Sequence, residues 1–450
     1  MMRQVNVAVL GAGTVGGGVV DAIRRNGRLM ASRLGIELGV HRLVVRDTRK
    51  RRDFDTNGAK VGADWREAVV DPRTDIVVEL VGGTTTAREM VLAALQAGKP
   101  VVTANKALLS AHGEELFAAA REGGANLYYE ASVAGGIPII KVMREALIGN
   151  RVTAAYGILN GTCNYILTRM RAEGAEFETV LKDAQRLGYA EADPSLDVDG
   201  IDALHKAGIL ASLAHGFWVD VKKVAAEGIR GVTPLDMDFS GRLGYTIKLL
   251  AAIKLEAPKA PARGGKAAKA GASGLRISVT VCPTLVPNHH VLASVSDVFN
   301  AVFVRGDIVG DTLYYGRGAG RNATASSVLS DLADAALDLR CGERQRLPPF
   351  VPHEEFGALM APGDVVSSHY LRLSVTDKPG VLARIAAILA KEQIGISSVI
   401  QPEGHEGASV PLIFMLHHAT RSAVDRALKS IRRLPVVTGE PALFRVETFE

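Results

Sequence analysis

The sequence predicts an α/β chain of three domains: a parallel α/β domain first, a mixed α+β domain next, and a C-terminal ferredoxin-like βαββαβ unit. Three observations predict it. Short apolar runs alternate with helical segments up to about residue 128, as βαβ units do. From 129 to 340 helices are mixed with strand-rich stretches such as "GLRISVTVCPTLV". Residues 367–450 then read strand, helix, strand, strand, helix, strand.

The elements follow in order. "VNVAVL" (5–10) is a buried strand, and "GAGTVGGG" opens a helix reaching about residue 25. "HRLVVRD" (41–47), "TDIVVELVGG" (74–83) and "KPVVTANK" (99–106) are further strands. "AREMVLAALQAG" and "EELFAAAREGG" are helices, and "NLYYEASV" (126–133) is a last strand. Runs such as "IVVEL" suit strands covered on both faces. In the second domain "ETVLKDAQRLG" and "DALHKAGILASLAHGF" are helical, and the strand-rich stretches suit an antiparallel sheet. The Ala/Gly/Lys/Pro-rich stretch 257–274 reads as a mobile loop. The helix 324–340 is expected to pack back on the first domain. Proline-rich residues 341–366 read as a linker.

Composition narrows the function classes. Net charge is +5 and the apolar fraction 47%. That charge is too mild, and its basic residues too scattered, for a nucleic-acid partner. No uncharged apolar stretch reaches the roughly 18 residues of a membrane span, and the first apolar segment is too short for a signal peptide, so a cytoplasmic protein is expected. The three cysteines, Cys163, Cys282 and Cys341, form no CxxC pair, so neither a disulfide framework nor a zinc site is suggested.

Gly11, Gly13 and Gly16 form GxGxxG directly between a strand and a helix. The spacing permits a tight turn, close backbone approach to a pyrophosphate, and close helix–strand packing. The first domain (1–128) is therefore read as a Rossmann-type dinucleotide-binding domain. The second strand ends "VVRD". Arg46 at its tip favours the 2′-phosphate of NADP, because guanidinium pairs with phosphate in a fork. Asp47 keeps NAD open.

"EADPSLDVDGIDALHK" (191–206) crowds five acids before a lysine. Asp199 reads as a helix N-cap, and Asp202 and Lys206 are i and i+4 on one helical face. An ordinary surface ion pair accounts for that pair alone. Other features shift the balance. Lys106 stands where a strand of the nucleotide domain is expected to end, the side on which open α/β sheets bind ligands. "YYEASVAGGIPII" and "NGTCNYIL" are glycine-punctuated polar segments suited to a backbone-lined site.

Taken together, "GAGTVGGG", "VTANKALLS", "YYEASVAGGIPII", "ILNGTCNYIL", "GYAEADPSLDVDGIDALHKAGILA" and "GRGAG" resemble homoserine dehydrogenases, in the family's order from residue 5 to about 340. The C-terminal unit, with "VTDKPGVLARIA", resembles an ACT domain. The resemblance implies NAD(P)H-dependent reduction of L-aspartate 4-semialdehyde to L-homoserine, on the route to threonine, isoleucine and methionine. It makes residues 129–340 a substrate-binding, catalytic and dimerisation domain. It implies that Lys206 is the proton donor, that Lys106 is a second lysine at the junction of cofactor and substrate, and that Asp197 orients Lys206. Glu191 and Asp202 would bind the substrate ammonium. Thr14 and Val15 match phosphate-loop contacts, Arg46 a contact to the adenosine end, and Gly188 and Gly320 positions lining the cofactor or substrate. Backbone carbonyls of Glu130, Val133, Gly135 and Ile137 match a sodium-like monovalent cation site. The ACT unit implies feedback control by an amino acid, threonine being the expected effector at "TDKPGVL" (376–382), and a homodimer or homotetramer. Arg317 departs from the pattern, standing where the family more often has proline.

Two other readings compete. Aspartate-semialdehyde dehydrogenase handles the same metabolite through a cysteine nucleophile, which would cast Cys163 in that role. The chain could instead be a cofactor- and amino-acid-binding regulator, against which the full set of lysines and acids argues. His205 is a poor proton shuttle, since it points about 100° away from Lys206 on a helix.

Overall fold

The computed structural model describes residues 3–256, 276–342, 346–352, 358–402 and 408–449. The expected mobile loop at 257–274 lies outside them, as does part of the expected linker. The chain forms two compact units. One holds residues 1–153, 205–221 and 300–356; the other holds 154–204, 222–299 and 357–450.

The first unit contains a six-stranded parallel sheet. Its strands are β1 (Arg3–Leu10), β2 (Ile36–Val44), β3 (Lys60–Gly62), β4 (Ile76–Glu79), β5 (Val101–Thr103) and β6 (Leu127–Tyr128). Their order is β3-β2-β1-β4-β5-β6, the doubly wound arrangement whose switch point lies between β1 and β4. In register, Val7 sits opposite Val40 on one side and Ile76 on the other. Every residue of β4 and β5 is buried, so these valine-rich strands need no polar face. Helices α1 (Thr14–Leu34), α2 (Trp65–Val70), α3 (Thr86–Gln96) and α4 (Lys106–Glu122) make the crossovers.

The helix Arg321–Cys341 packs on α1. A Cβ at Gly18 would stand 2.8 Å from Arg321 Cγ and 3.3 Å from the Ala325 Cβ, so a glycine is required for this approach. Val19, Val20 and Ile23 share a core with Val328, Leu332 and Ala336. Helical spacing along both segments places these residues on facing stripes.

The second unit is built on a mixed sheet. The strand Tyr245–Glu256 pairs antiparallel with Arg276–Pro287 along their whole length, and with Val152–Ile158 from Ala154 onward. The C-terminal strands Val366–Thr376, Ile396–Ile400, Ser409–Thr420 and Ala442–Val446, with helices Val381–Lys391 and Arg421–Ile431, give βαββαβ. The last strand also pairs in parallel with Arg276–Pro287, Thr284 facing Arg445. The ferredoxin-like sheet and the middle sheet are therefore one continuous sheet.

Several expectations are corrected. The helix after the glycine loop runs to Leu34, stopped by Gly35 at φ 65°. The strand expected at 126–133 is only Leu127–Tyr128; a 3-10 turn at Glu130–Ser132 replaces the rest, because Glu130 turns inward to cap the next helix. Lys106 does not end a strand. It is the first residue of α4, capped by Asn105. Asp199 is not the N-cap of the helix Ile201–His215. Gly200 occupies that place, its carbonyl accepting from Leu204, while Asp199 pairs with Arg230 at 2.5 Å. β3 and α2 were not foreseen, being too short for a periodic pattern.

Candidate active site

The glycine loop follows β1 at the switch point. The Gly11 amide donates to Val44 O at 2.9 Å. Gly11 has φ 101°, and a Cβ there would meet Leu80 O at 2.6 Å; a Cβ at Gly16 would meet Gly11 O at 2.0 Å. Both positions are closed to side chains by backbone. Gly13 is different: a Cβ there meets nothing within 4 Å, so its face is open. Helix α1 begins at Thr14 with no side-chain cap and no acid in its first turn. The amides of Thr14, Val15 and Gly16 thus form an anion-seeking helix start. These residues fit a bound dinucleotide phosphate.

Beyond β2, Arg46 is exposed. The Asp47 carboxylate turns back on its own loop, accepting from the Arg49 and Lys50 amides at 2.9 and 3.2 Å.

At the end of β4 the fully buried Glu79 organises the neighbouring loops. Its Oε1 accepts from the Val81 and Gly82 amides, and its Oε2 from Thr103 Oγ1 at 2.7 Å. Thr103 Oγ1 in turn accepts from the Asn105 amide, and the Asn105 side chain donates to Gly83 O and accepts from the Leu108 amide. This chain fixes the start of α4, and with it the backbone of Lys106. Glu79, Thr103 and Asn105 were missed at the level of sequence. The acid closing an otherwise apolar run, "IVVEL", was the available signal.

In the second unit the acid-rich stretch meets Asn160. The Asn160 Oδ1 caps the helix Gly161–Glu173 by accepting from the Cys163 amide at 2.8 Å. Its Nδ2 donates to Asp197 Oδ1 at 2.7 Å and to Asp202 Oδ2 at 2.9 Å. Asn160 is therefore the hub that gathers two carboxylates 37 and 42 residues away. It too was missed, although "NGTC" ahead of an apolar run is an N-cap signal. Asp202 is buried, and Lys206 follows it by one turn in the helix Ile201–His215, also buried.

The other acids separate. Glu191 is exposed, its segment fastened by Gln185 Nε2, which donates to Glu191 O, and by Thr162 Oγ1, which donates to Tyr189 O. Asp193 accepts from the Ser195 amide, two residues on, in the turn just before the short helix Ser195–Val198. Gly188 takes φ 78° where the helix Phe177–Arg186 ends. Gly320, at φ 113°, precedes the helix Arg321–Cys341. Cys163 is fully buried, its thiol donating to Asp197 O at 3.2 Å.

The loop expected to hold a cation is buried at Glu130, Val133 and Ile137. The Glu130 carboxylate accepts from the Ile140 and Lys141 amides. Burial raises its pKa to about 7, and burial with the neighbouring Glu130 charge pushes Asp331 well up. The Glu130 amide donates to Asp331 at 2.9 Å. The Gly135 carbonyl accepts from Ser327 Oγ and that of Ile137 from the Ile139 amide at 2.8 Å.

Three family models cover most of the chain: the homoserine dehydrogenase NAD-binding domain at 11–130, homoserine dehydrogenase at 138–333, and the ACT domain at 369–436. The homoserine dehydrogenase of Pseudomonas aeruginosa is 42% identical over 450 residues, 99% of each chain. The chain belongs to the homoserine dehydrogenase family. It is an oxidoreductase acting on a CH–OH group, with a nicotinamide-cofactor domain and an ACT domain. The Bacillus subtilis homoserine dehydrogenase is 37% identical over 99% of each chain. Among solved structures, a homoserine dehydrogenase from Thiobacillus denitrificans matches with TM-score 0.89 at 41% identity, over 99% of each chain. A hyperthermophilic archaeal homoserine dehydrogenase in complex with NADPH matches with TM-score 0.60 at 28% identity, covering 75% of this chain and 98% of that one. No helix among the described residues is long and apolar enough to cross a membrane.

Proposed function

We propose that this homoserine dehydrogenase reduces L-aspartate 4-semialdehyde with NADPH preferred over NADH, and that Lys206 delivers the proton. The gathering of Asp197 and Asp202 by Asn160, one helical turn before Lys206, is the observation that carries the reading. When bound, the nicotinamide supplies the hydride to the aldehyde carbon. The Thr14–Gly16 amides hold its phosphates, and Arg46 meets the 2′-phosphate, Asp47 being spent on its own loop. The Lys206 ammonium stabilises the oxygen as negative charge develops and protonates it. Asp202 and Glu191 take the substrate ammonium. Asp197, its position set by Asn160, orients Lys206, and Lys106 completes the polar surface between cofactor and substrate.

A monovalent cation such as Na+ suits the carbonyls of Glu130, Val133, Gly135 and Ile137. The buried carboxyl groups of Glu130 and Asp331 stand beside that loop, and hard cations accept oxygen ligands of this kind. An amino acid, with threonine first, is the effector proposed for residues 376–382. There Gly380, at φ 84°, starts a helix, and Gln401 holds Asp377 at 3.0 Å. A homodimer or homotetramer completes the reading.

The test is NADPH oxidation with aspartate 4-semialdehyde by wild type and Lys206→Ala. Loss of turnover by about 10²-fold or more, the range of general acid catalysis, with cofactor binding retained, is expected. Equal turnover in the variant would remove Lys206 from the mechanism.

A further inference from the structure

We propose that a second small-molecule site lies where the ferredoxin-like sheet joins the strand Arg276–Pro287, and that it takes a small carboxylate through Arg445. A cavity of about 460 Å3, open mouth included, lies at that junction. It is separate from the 376–382 loop and from the acid cluster around Asn160.

Arg445 lines the cavity and is 6% exposed. Its Nη1 donates to Thr280 Oγ1 at 2.6 Å. Its Nη2 stands 3.7 Å from Glu447 Oε2, beyond hydrogen-bond reach, and its buried Nε has no partner among the described residues. Glu447 gives its other oxygen to Lys254 at 2.7 Å, so two cations share one carboxylate. The Nε and Nη2 edge of a guanidinium is the fork that a carboxylate fits with two parallel hydrogen bonds. His369, also lining the cavity and 3% exposed, leaves Nδ1 without a partner, while its Nε2 lies 3.2 Å from Ser367 Oγ.

Buried polar groups are normally satisfied, and Arg445 and His369, which both line the cavity, each leave one buried nitrogen without a partner among the described residues. The lining also includes Arg421 and Glu227, which pair with each other, and Arg421 pairs further with Asp425 at 2.8 Å, so it is already neutralised. The remaining lining is apolar, as at Val281 and Leu443, and leaves room for a short carbon chain.

Trifluoroacetate is a suitable probe, followed by 19F NMR on the full-length protein, with Arg445→Gln and Ala225→Phe as variants. Ala225 lines the cavity without being one of its polar groups, so the phenyl ring fills the space. Saturable binding is expected in wild type, weakened about tenfold or more in both variants, with basal NADPH oxidation unchanged. Should Arg445→Gln fail to fold by circular dichroism, Ala225→Phe decides alone. Linear, non-saturable broadening, or the same affinity in a folded variant as in wild type, would overturn the site.

Discussion

Asn160 donates its side-chain amide to Asp202 at 2.9 Å while the same nitrogen holds Asp197 at 2.7 Å. One residue thus does two jobs, because its oxygen also caps the helix that follows. Asn160→Ala removes the cap, worth about 1 kcal/mol, and both charge-assisted hydrogen bonds, so Tm should drop by several degrees. Asn160→Asp keeps the cap oxygen but replaces a donor with a third negative charge. It should cost more in kcat/KM, about tenfold or more, than in thermal stability. Parallel melts and steady-state kinetics on the two variants separate these effects; equal kinetic losses with equal melting would contradict the division of labour.

Cofactor choice should follow the charge beyond β2. Arg46→Asp is expected to lower kcat/KM for NADPH about tenfold, the loss of one charge-assisted fork, and to leave NADH nearly untouched. The ratio of the two cofactors' kcat/KM is the measurement. An unchanged ratio would place the 2′-phosphate elsewhere.

Cys163 should be dispensable for chemistry. Its thiol is fully buried and donates to the Asp197 carbonyl, a packing role. Cys163→Ala should keep kcat within about threefold and lose roughly 1–2 kcal/mol of stability as a small cavity opens. Abolished, phosphate-dependent activity would instead revive a cysteine nucleophile.

His369 ties stability to acid pH. Burial first, and then the charges of Arg421 and Arg445, lower its pKa to about 3. The unfolded chain binds its proton near 6.5, so between pH 6.5 and 3 the unfolded state carries more protons. Stability from this group is full above pH 6.5 and is lost as pH falls toward 3. His369→Gln should flatten the fall in urea midpoint across that window. An equal slope in the variant would show that other groups carry the acid dependence.

The sequence by itself determined the parallel sheet, the glycine loop, the family and the βαββαβ unit. Each is written in local pattern: alternating apolar runs, a fixed glycine spacing, motifs in one order. It also made the acids before Lys206 conspicuous. Only the tertiary structure decided which acids are gathered. Asp197 and Asp202 meet at Asn160, whereas Asp199 turns to Arg230, Asp193 holds the Ser195 amide in its own turn and Glu191 stays exposed. Likewise Glu79, a single acid in an apolar strand, reaches the start of α4 only because β4 and β5 lie side by side. Periodicity reports which face a residue occupies. A hydrogen bond between residues tens of positions apart depends on where the chain brings their backbones, and no local pattern carries that distance.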